Sequence, residues 1–323
     1  MMKVVVCTRY GSPDVLQIKE VEKPIPGENE VLIRIYAASV TAADTMMRKG
    51  KPLAGRFFMG RWKPRDIIIG TGFAGEIEAV GSGVSRFCVG DSVLGASISG
   101  GTNAEYICVA DDGLIARMPE DMTYEEAAPV CDGALTSLNF LKNIAAIQSG
   151  QNVLVNGASG SVGCAALQLA SHFGARVTGV CSIRNMTQVQ AMGANVILNY
   201  GYEDFTQMAS QYDIVFDTVG TRSFSQCKQS LTERGIYLSP VFRLTHLVQV
   251  LWTSVSRKKA KFSATRIRPV SDLSVLLDEL LELFVAGKVT TVIDRVYPLT
   301  EIVEAHRYVD TKRKCGNVVL SLA

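Results

Sequence analysis

Three glycines and two serines stand where the chain can bring bare backbone to a charged ligand. The run Gly157-Ala158-Ser159-Gly160-Ser161-Val162-Gly163 is spaced G-x-x-G-x-x-G and has little side-chain bulk. A loop this sparse lets peptide N–H groups approach an anion, and the positive end of a following helix attracts it. Upstream lies the apolar run NVLVN from Asn152, and downstream the helical pattern CAALQLASHF. The loop therefore sits at a strand-to-helix turn, where Gly163 allows the helix to pack closely on the strand. In that setting it reads as the pyrophosphate loop of a dinucleotide site; the alternative is a merely structural turn.

The following strand bears on which dinucleotide. A site for NAD places an acidic residue about 20 positions on, to hold the ribose 2′-hydroxyl. Here the strand ends Val180-Cys181-Ser182-Ile183-Arg184-Asn185, and no Asp or Glu occurs from Gly133 to Tyr202. A 2′-phosphate is repelled by a carboxylate and welcomed by a forked guanidinium. Ser182 and Arg184 thus point to NADPH rather than NADH, unless they are ordinary loop residues.

These residues need elements to hold them. NVLVNGA, RVTGVCS, NVILNY, DIVFDTV and GIYLSP are strand-length apolar runs separated by helical segments such as SVGCAALQLASHF and RNMTQVQAMGA. Alternating β and α units imply a parallel sheet with helices on both faces, a doubly wound α/β domain. KFSATRI, near 261, offers a sixth strand, and Leu244–Val255 is an apolar helix candidate that would pack on a partner subunit. SDLSVLLDELLELFVAGK is an amphipathic helix, and the tail reads strand, helix, strand. Residues 1–125 are instead β-rich, with KVVVCTRY, EVLIRIYAAS, GEIEAVG and EYICVA bounded by turn signals. Met47–Ile69 breaks that rhythm with seven Arg and Lys plus Phe57, Phe58 and Trp62. It reads as a long loop, either a lid over an apolar substrate or a solvated insertion.

Other chemistries find little footing. A length of 323 residues makes two domains the default, and 47% hydrophobic with 20% charged residues is a globular balance. A net charge of +2 argues against a nucleic-acid partner. No run reaches the roughly 20 apolar residues of a membrane span, and the start lacks a signal-peptide pattern. Eight scattered cysteines include no C-x-x-C pair, which speaks against a zinc ribbon and for a reducing, cytoplasmic setting. His172, His246 and His306 form no cluster and accompany no G-x-S-x-G elbow, so each reads as a surface or packing residue.

Taken together, the blocks YGSPDVLQIKEVEKPIPGENEVLIRIYAASVTAAD, IIIGTGFAGEIEAVGSGVSRFCVGD, ASGSVG, ILNYGYEDF, YDIVFDTVG and EAHRYVDTKRKCGNVVL span nearly the whole chain. They resemble the medium-chain dehydrogenase/reductase superfamily, specifically its zinc-independent quinone oxidoreductase branch. The resemblance implies a GroES-like catalytic domain from residues 1–125 and 270–323, with a Rossmann NADPH-binding domain over 126–269. It implies that Ser159, Gly160, Ser161 and Val162 face the pyrophosphate, and that Ser182, Arg184, Asn185 and Tyr200 surround the 2′-phosphate. Thr136, Val219 and Pro240 would approach the nicotinamide, and Gly316 and Asn317 would close over the cleft.

Zinc alcohol dehydrogenases of this superfamily carry a cysteine where Thr41 stands and a His-Glu pair where Thr71 and Gly72 stand. The resemblance therefore implies no metal, and a quinone or α,β-unsaturated carbonyl as hydride acceptor, reduced without flavin. Thr41 and Asp44 lie on the catalytic side, as catalytic residues or as a helix cap. Gly72 stands where relatives often carry an acidic residue and Asp132 at a usually apolar place, so the first change is expected to remove a polar contact beneath the nicotinamide and the second either to reshape the pocket or to repel anionic substrates. A homodimer acting on a small apolar conjugated substrate is the expected form. The alternatives are a zinc-independent alcohol or aldehyde dehydrogenase, or a non-catalytic NADPH-binding sensor.

Overall fold

In the computed structural model, residues 1–51, 53, 56, 60–62, 64, 67–241, 249, 252–253, 256–263 and 268–322 are described. Phe57, Phe58, His246 and most of the stretch 244–255 lie outside the described residues, so the expected lid aromatics and apolar helix are not placed. Trp62 is exposed. No helix among the described residues is long and apolar enough to cross a membrane.

The chain divides into two units, one of Met1–Asp132, Val270–Asp278 and Thr291–Ala323, the other of Gly133–Pro269 and Glu279–Thr290. The first boundary falls after Asp132 rather than at 125, because Asp132 bonds to Ser39 and Thr71 of the first unit. Residues 279–290 depart from the expected tail for a similar reason: Glu279 pairs with Lys142 and Thr290 bonds to Gln168.

Strands are numbered β1 to β16 along the chain. In the first unit, β3 (Glu30–Val40) is the hub of a sheet that also holds β5 (Gly72–Val80), β6 (Ser92–Ala96), β8 (Ile115–Arg117), β15 (Ile293–Pro298) and β16 (Asn317–Ser321). β3 pairs antiparallel with β5, β16 and β7 (Tyr106–Ala110). Val31, Ile33 and Ile35 of β3 meet Ile77, Val93, Ile115 and Val318 in one buried core. The helix Ile302–Asp310 lays Ile302, Ala305 and Val309 into the same core, at the spacing of one helix face. A second sheet joins β1 (Met2–Cys7) to β2 (Leu16–Val21) and to β4 (Ile67–Ile68). The stretch expected as one loop from Met47 to Ile69 thus begins inside the helix Ala42–Arg48 and ends on β4.

The second unit contains β9 (Asn152–Asn156), β10 (Arg176–Cys181), β11 (Val196–Asn199), β12 (Tyr212–Asp217), β13 (Leu231–Ser239) and β14 (Lys259–Phe262). Their order is β11-β10-β9-β12-β13-β14, with every neighbouring pair parallel. Val153, Leu154 and Val155 of β9 and Ile214, Val215 and Phe216 of β12 are all buried, as expected for strands covered on both faces. The strand order reverses between β10 and β12 around β9, which opens a crevice beyond the carboxyl ends of these strands. This is the doubly wound Rossmann arrangement; the first unit is the β-rich GroES-like one.

Candidate active site

The crevice begins where β9 ends. Gly157 adopts a left-handed backbone, φ +81°, and its amide and that of Ala158 both donate to Val180 O, at 3.1 and 3.0 Å. The turn is thereby pinned to β10. Gly160 then opens the helix Ser161–His172 with no side-chain cap, the condition under which an anion can take that role. A Cβ on Gly163 would press into the backbone of Gly157 and Ala158, so only glycine lets the helix come this close. Ser159, Gly160, Ser161 and Val162 are half-buried around this cradle, which fits a pyrophosphate.

β10 and β11 end side by side, Cys181 opposite Asn199, so Ser182 and Tyr200 leave the sheet together. Ser182 starts the tight turn Ile183–Asn185, on which Arg184 is exposed; Tyr200 is also largely exposed. Asn185 Nδ2 donates to Ser159 Oγ across 2.9 Å, which joins this turn to the phosphate loop. The nearby Glu203 carboxylate accepts the Asn199 amide at 3.0 Å. The expected residues Ser182, Arg184, Asn185 and Tyr200 are thus gathered at one end of the crevice, with a guanidinium on the turn.

Beyond β12 the chain is organised by a residue that sequence reasoning missed. The buried Asp217 carboxylate accepts from Asn156 Nδ2 (2.8 Å), Gly220 N (3.0 Å), Arg222 N (2.9 Å) and the Tyr237 hydroxyl (3.2 Å). Burial, reinforced by Asp217, pushes the Tyr237 phenol well above its ordinary range, so it remains a donor. Asp217 thereby shapes the loop that presents Val219 to solvent, while Pro240 directly follows β13. Thr136 is half-buried on the helix Leu135–Leu138. Its neighbour Ser137 donates to Gly133 O and Val162 O, both at 2.8 Å, and so ties that helix to the phosphate-binding one. The available signal for Asn156 and Asp217 was a polar residue closing each of two adjacent apolar runs.

In the first unit, Thr41 and Asp44 meet as a capping box at the start of the helix Ala42–Arg48. Thr41 N and Oγ1 donate to Asp44 Oδ2 at 2.7 and 2.6 Å, and Asp44 N donates to Thr41 Oγ1 at 3.2 Å. Capping is the role this geometry displays. Gly316, at φ +103°, and Asn317 fold against Val292, whose carbonyl accepts the Asn317 backbone amide at 2.8 Å and its side-chain amide at 3.0 Å.

The two departures, Gly72 and Asp132, prove to be neighbours. Ser39 donates to Asp132 Oδ2, and Thr71 Oγ1 donates to Oδ1 at 3.2 Å. Ser39 and Thr71 are 1% and 0% exposed, whereas Asp132 is partly exposed. A Cβ at Gly72 would fall 2.5 Å from Ala128 O, 2.6 Å from Asp132 Oδ2 and 2.7 Å from Ser39 Oγ. A carboxylate therefore does stand beside position 72, carried by another residue.

Of the described histidines, His172 is exposed and His306 fully buried. Burial, aided by the Arg48 guanidinium, depresses the His306 imidazole to about 3. Arg48, itself fully buried, bonds to Gly11 O at 2.6 Å and to Asp310 at 2.5 Å.

Two family models match this chain. One described as an alcohol dehydrogenase GroES-like domain covers residues 27–120, and one described as a zinc-binding dehydrogenase covers 192–320. The chain is 33% identical over 303 residues to a chloroplast envelope quinone oxidoreductase homolog of Arabidopsis thaliana, covering 90% of this chain and 89% of that protein. It is 31% identical over 332 residues to a 2-methylene-furan-3-one reductase of Solanum lycopersicum, covering 99% and 79%. Among solved structures, a mycobacterial protein complexed with NADPH superimposes with a TM-score of 0.83 at 28% identity, covering 99% of this chain and 100% of that one.

Proposed function

Because this chain belongs to the medium-chain dehydrogenase/reductase superfamily, in its quinone oxidoreductase-like branch, we propose that it reduces quinones or α,β-unsaturated carbonyls at the expense of NADPH, without zinc or flavin. The observation that carries the cofactor choice is the turn after β10, where Arg184 stands exposed and Asn185 is anchored to the phosphate loop. A dinucleotide bound there supplies a hydride donor. Ser159–Val162 would hold its pyrophosphate, Ser182, Arg184, Asn185 and Tyr200 its 2′-phosphate, and Thr136, Val219 and Pro240 the nicotinamide side. The NADPH-bound mycobacterial neighbour is consistent with this reading.

The donor set supports the zinc-free part of this reading. Zinc sites in enzymes take three protein ligands from thiolates, imidazoles and carboxylates. Thr71 and Ser39 offer hydroxyls to a single carboxylate, Asp132, and no cluster of three suitable ligands occurs among the described residues. This set does not fit zinc. A conjugated acceptor suits such a site, because conjugation in the substrate receives the electrons that a Lewis acid would otherwise stabilise. The furanone reductase and quinone oxidoreductase relatives lend support to that acceptor class. Positioning is then the chain's main contribution, with the crevice of the second unit holding the cofactor in place. The family resemblance supports a homodimer, and the scattered cysteines without a C-x-x-C pair support a reducing, cytoplasmic setting.

The test is the initial rate of NADPH oxidation after chelator treatment, across quinones, an enone, an alkenal and a simple ketone. Turnover limited to conjugated acceptors supports the proposal. Turnover of the simple ketone that the chelator abolishes refutes it, and tight NADPH binding with no turnover on any acceptor turns the reading to a sensor.

A further inference from the structure

We propose that Asp217 is a positioning residue of the cofactor site: it fixes loop 218–222 from beneath, and through that loop sets where the nicotinamide half of the dinucleotide rests. The inference rests on the NADPH reading above. Within the second unit, the turn after β10 lies on one side of the phosphate loop, and β12 follows β9 on the other. A dinucleotide held by its adenosine end beyond β10 therefore extends its nicotinamide end over the loop that follows β12. That loop carries Val219, an apolar side chain that is 43% exposed. It lies directly against the phosphate loop, since a Cβ at Gly157 would come within 2.2 Å of Val219 Cγ2.

An exposed valine gains little from its own surroundings, and the support comes from below. Asp217 Oδ1 accepts from Asn156 Nδ2 at 2.8 Å, Gly220 N at 3.0 Å and Val219 N at 3.3 Å, while Oδ2 accepts from Arg222 N at 2.9 Å. The Tyr237 hydroxyl stands 3.2 Å from Oδ2 and 2.7 Å from Arg222 O. Asn156 Nδ2 also reaches Thr221 Oγ1 at 3.2 Å, and Thr218 Oγ1 donates to Asn156 O at 2.8 Å. Every residue from 218 to 222 is thus tied to Asn156 or Asp217, which face each other across β9 and β12. Only a carboxylate suits this place, because it accepts at both oxygens and donates at neither. A carboxamide would turn an amino group toward donors on one side. A loop that merely joined β12 to the helix Phe224–Cys227 needs only neutral turn residues, without the cost of a buried charge. What the charge adds is a fixed position for Val219 at the crevice.

The test titrates two ligands: NADPH, and adenosine 2′,5′-bisphosphate, which has the adenosine end and the 2′-phosphate but no nicotinamide. Asp217→Asn should weaken NADPH about tenfold, the worth of a hydrogen bond to a charged group, and change the bisphosphate by less than about twofold. Val219→Ala should weaken NADPH about threefold through lost apolar contact. Adding it to Asp217→Asn should cost almost nothing more, because the side chain has already lost its placement. Tyr237→Phe keeps the ring in the core and should weaken NADPH alone by about threefold. Equal weakening of both ligands by Asp217→Asn overturns the inference, as does unchanged NADPH affinity or a double variant whose losses add. If Asp217→Asn does not fold, as judged by melting, Tyr237→Phe with Val219→Ala is read on the same terms. Any of these results with a wild type that binds both ligands leaves the NADPH reading intact. Failure of the wild type to bind NADPH overturns both together.

Discussion

Asn185 and Ser159, 26 positions apart in the chain, are joined by a 2.9 Å hydrogen bond that links the turn after β10 to the loop after β9. On the proposed reading these two loops contact different parts of one dinucleotide, and the bond organises them before it arrives. Asn185→Ala should weaken NADPH binding by about three- to tenfold, the worth of roughly one neutral hydrogen bond. Fluorescence titration of the reduced cofactor measures this directly.

Arg184 makes a sharper separation. If its guanidinium meets the 2′-phosphate, Arg184→Ala should weaken NADPH about 10- to 100-fold, the range of a charge-assisted contact, and NADH far less. Parallel titrations with both cofactors check it. An equal loss for the two would mean that the turn does not read the phosphate.

Gly72→Ala should cost about 1–3 kcal/mol of stability, because the new methyl meets Ala128 O, Asp132 and Ser39 at 2.5–2.7 Å and the neighbourhood is tightly held. Urea denaturation of the variant against wild type gives the value. Only part of that loss should be relieved in Gly72→Ala/Asp132→Ser, because the nearest obstacle, the backbone carbonyl of Ala128, remains.

Thr41→Val removes both hydroxyl contacts of the capping box and should destabilise the protein by about 1 kcal/mol. Thr41→Ser keeps the hydroxyl and should restore most of it. Thermal melting of the pair distinguishes loss of the cap from loss of side-chain volume.

His306 predicts a pH dependence whose sign is fixed by burial. Its folded form is depressed to about 3 from an ordinary value of 6.5, so between these limits the unfolded chain binds a proton that the folded chain does not. Stability therefore falls as pH drops, by about 1.4 kcal/mol for each unit below the ordinary value. Carboxylates such as Asp91, held low by the Cys88 amide, lose their contribution only below their own ordinary value of 3.8. The window from pH 7 to 5 thus isolates the histidine. Denaturation midpoints should decline across that window in the wild type and flatten in His306→Gln.

The parallel sheet was legible because its strands are covered on both faces, which makes β9 and β12 unbroken apolar runs. β2 was not: of its six residues only Leu16 is buried, so LQIKEV carries no clear apolar face. β8 is three residues long, too short for any periodicity to register. The phosphate loop could be read because its glycines and serines all fall within seven successive positions. The Asp132 cluster could not, since its members lie 93 and 61 positions apart and only the fold of the first unit unites them. Gly72 and Asp132 looked like two separate departures, and their packing shows them to be one.

The pairing of β3 with β16 also sets a timetable for synthesis. Ala37–Val40 of β3 hydrogen-bond to Val318–Ser321, so that edge stays open until the ribosome has added nearly 280 further residues. At bacterial to eukaryotic elongation rates this takes roughly 15 to 55 seconds. All six strands of the second unit are made within that interval. The nascent chain therefore completes its second unit first, while in the other unit an unpaired sheet edge, open to pairing with another chain, waits for its last strand.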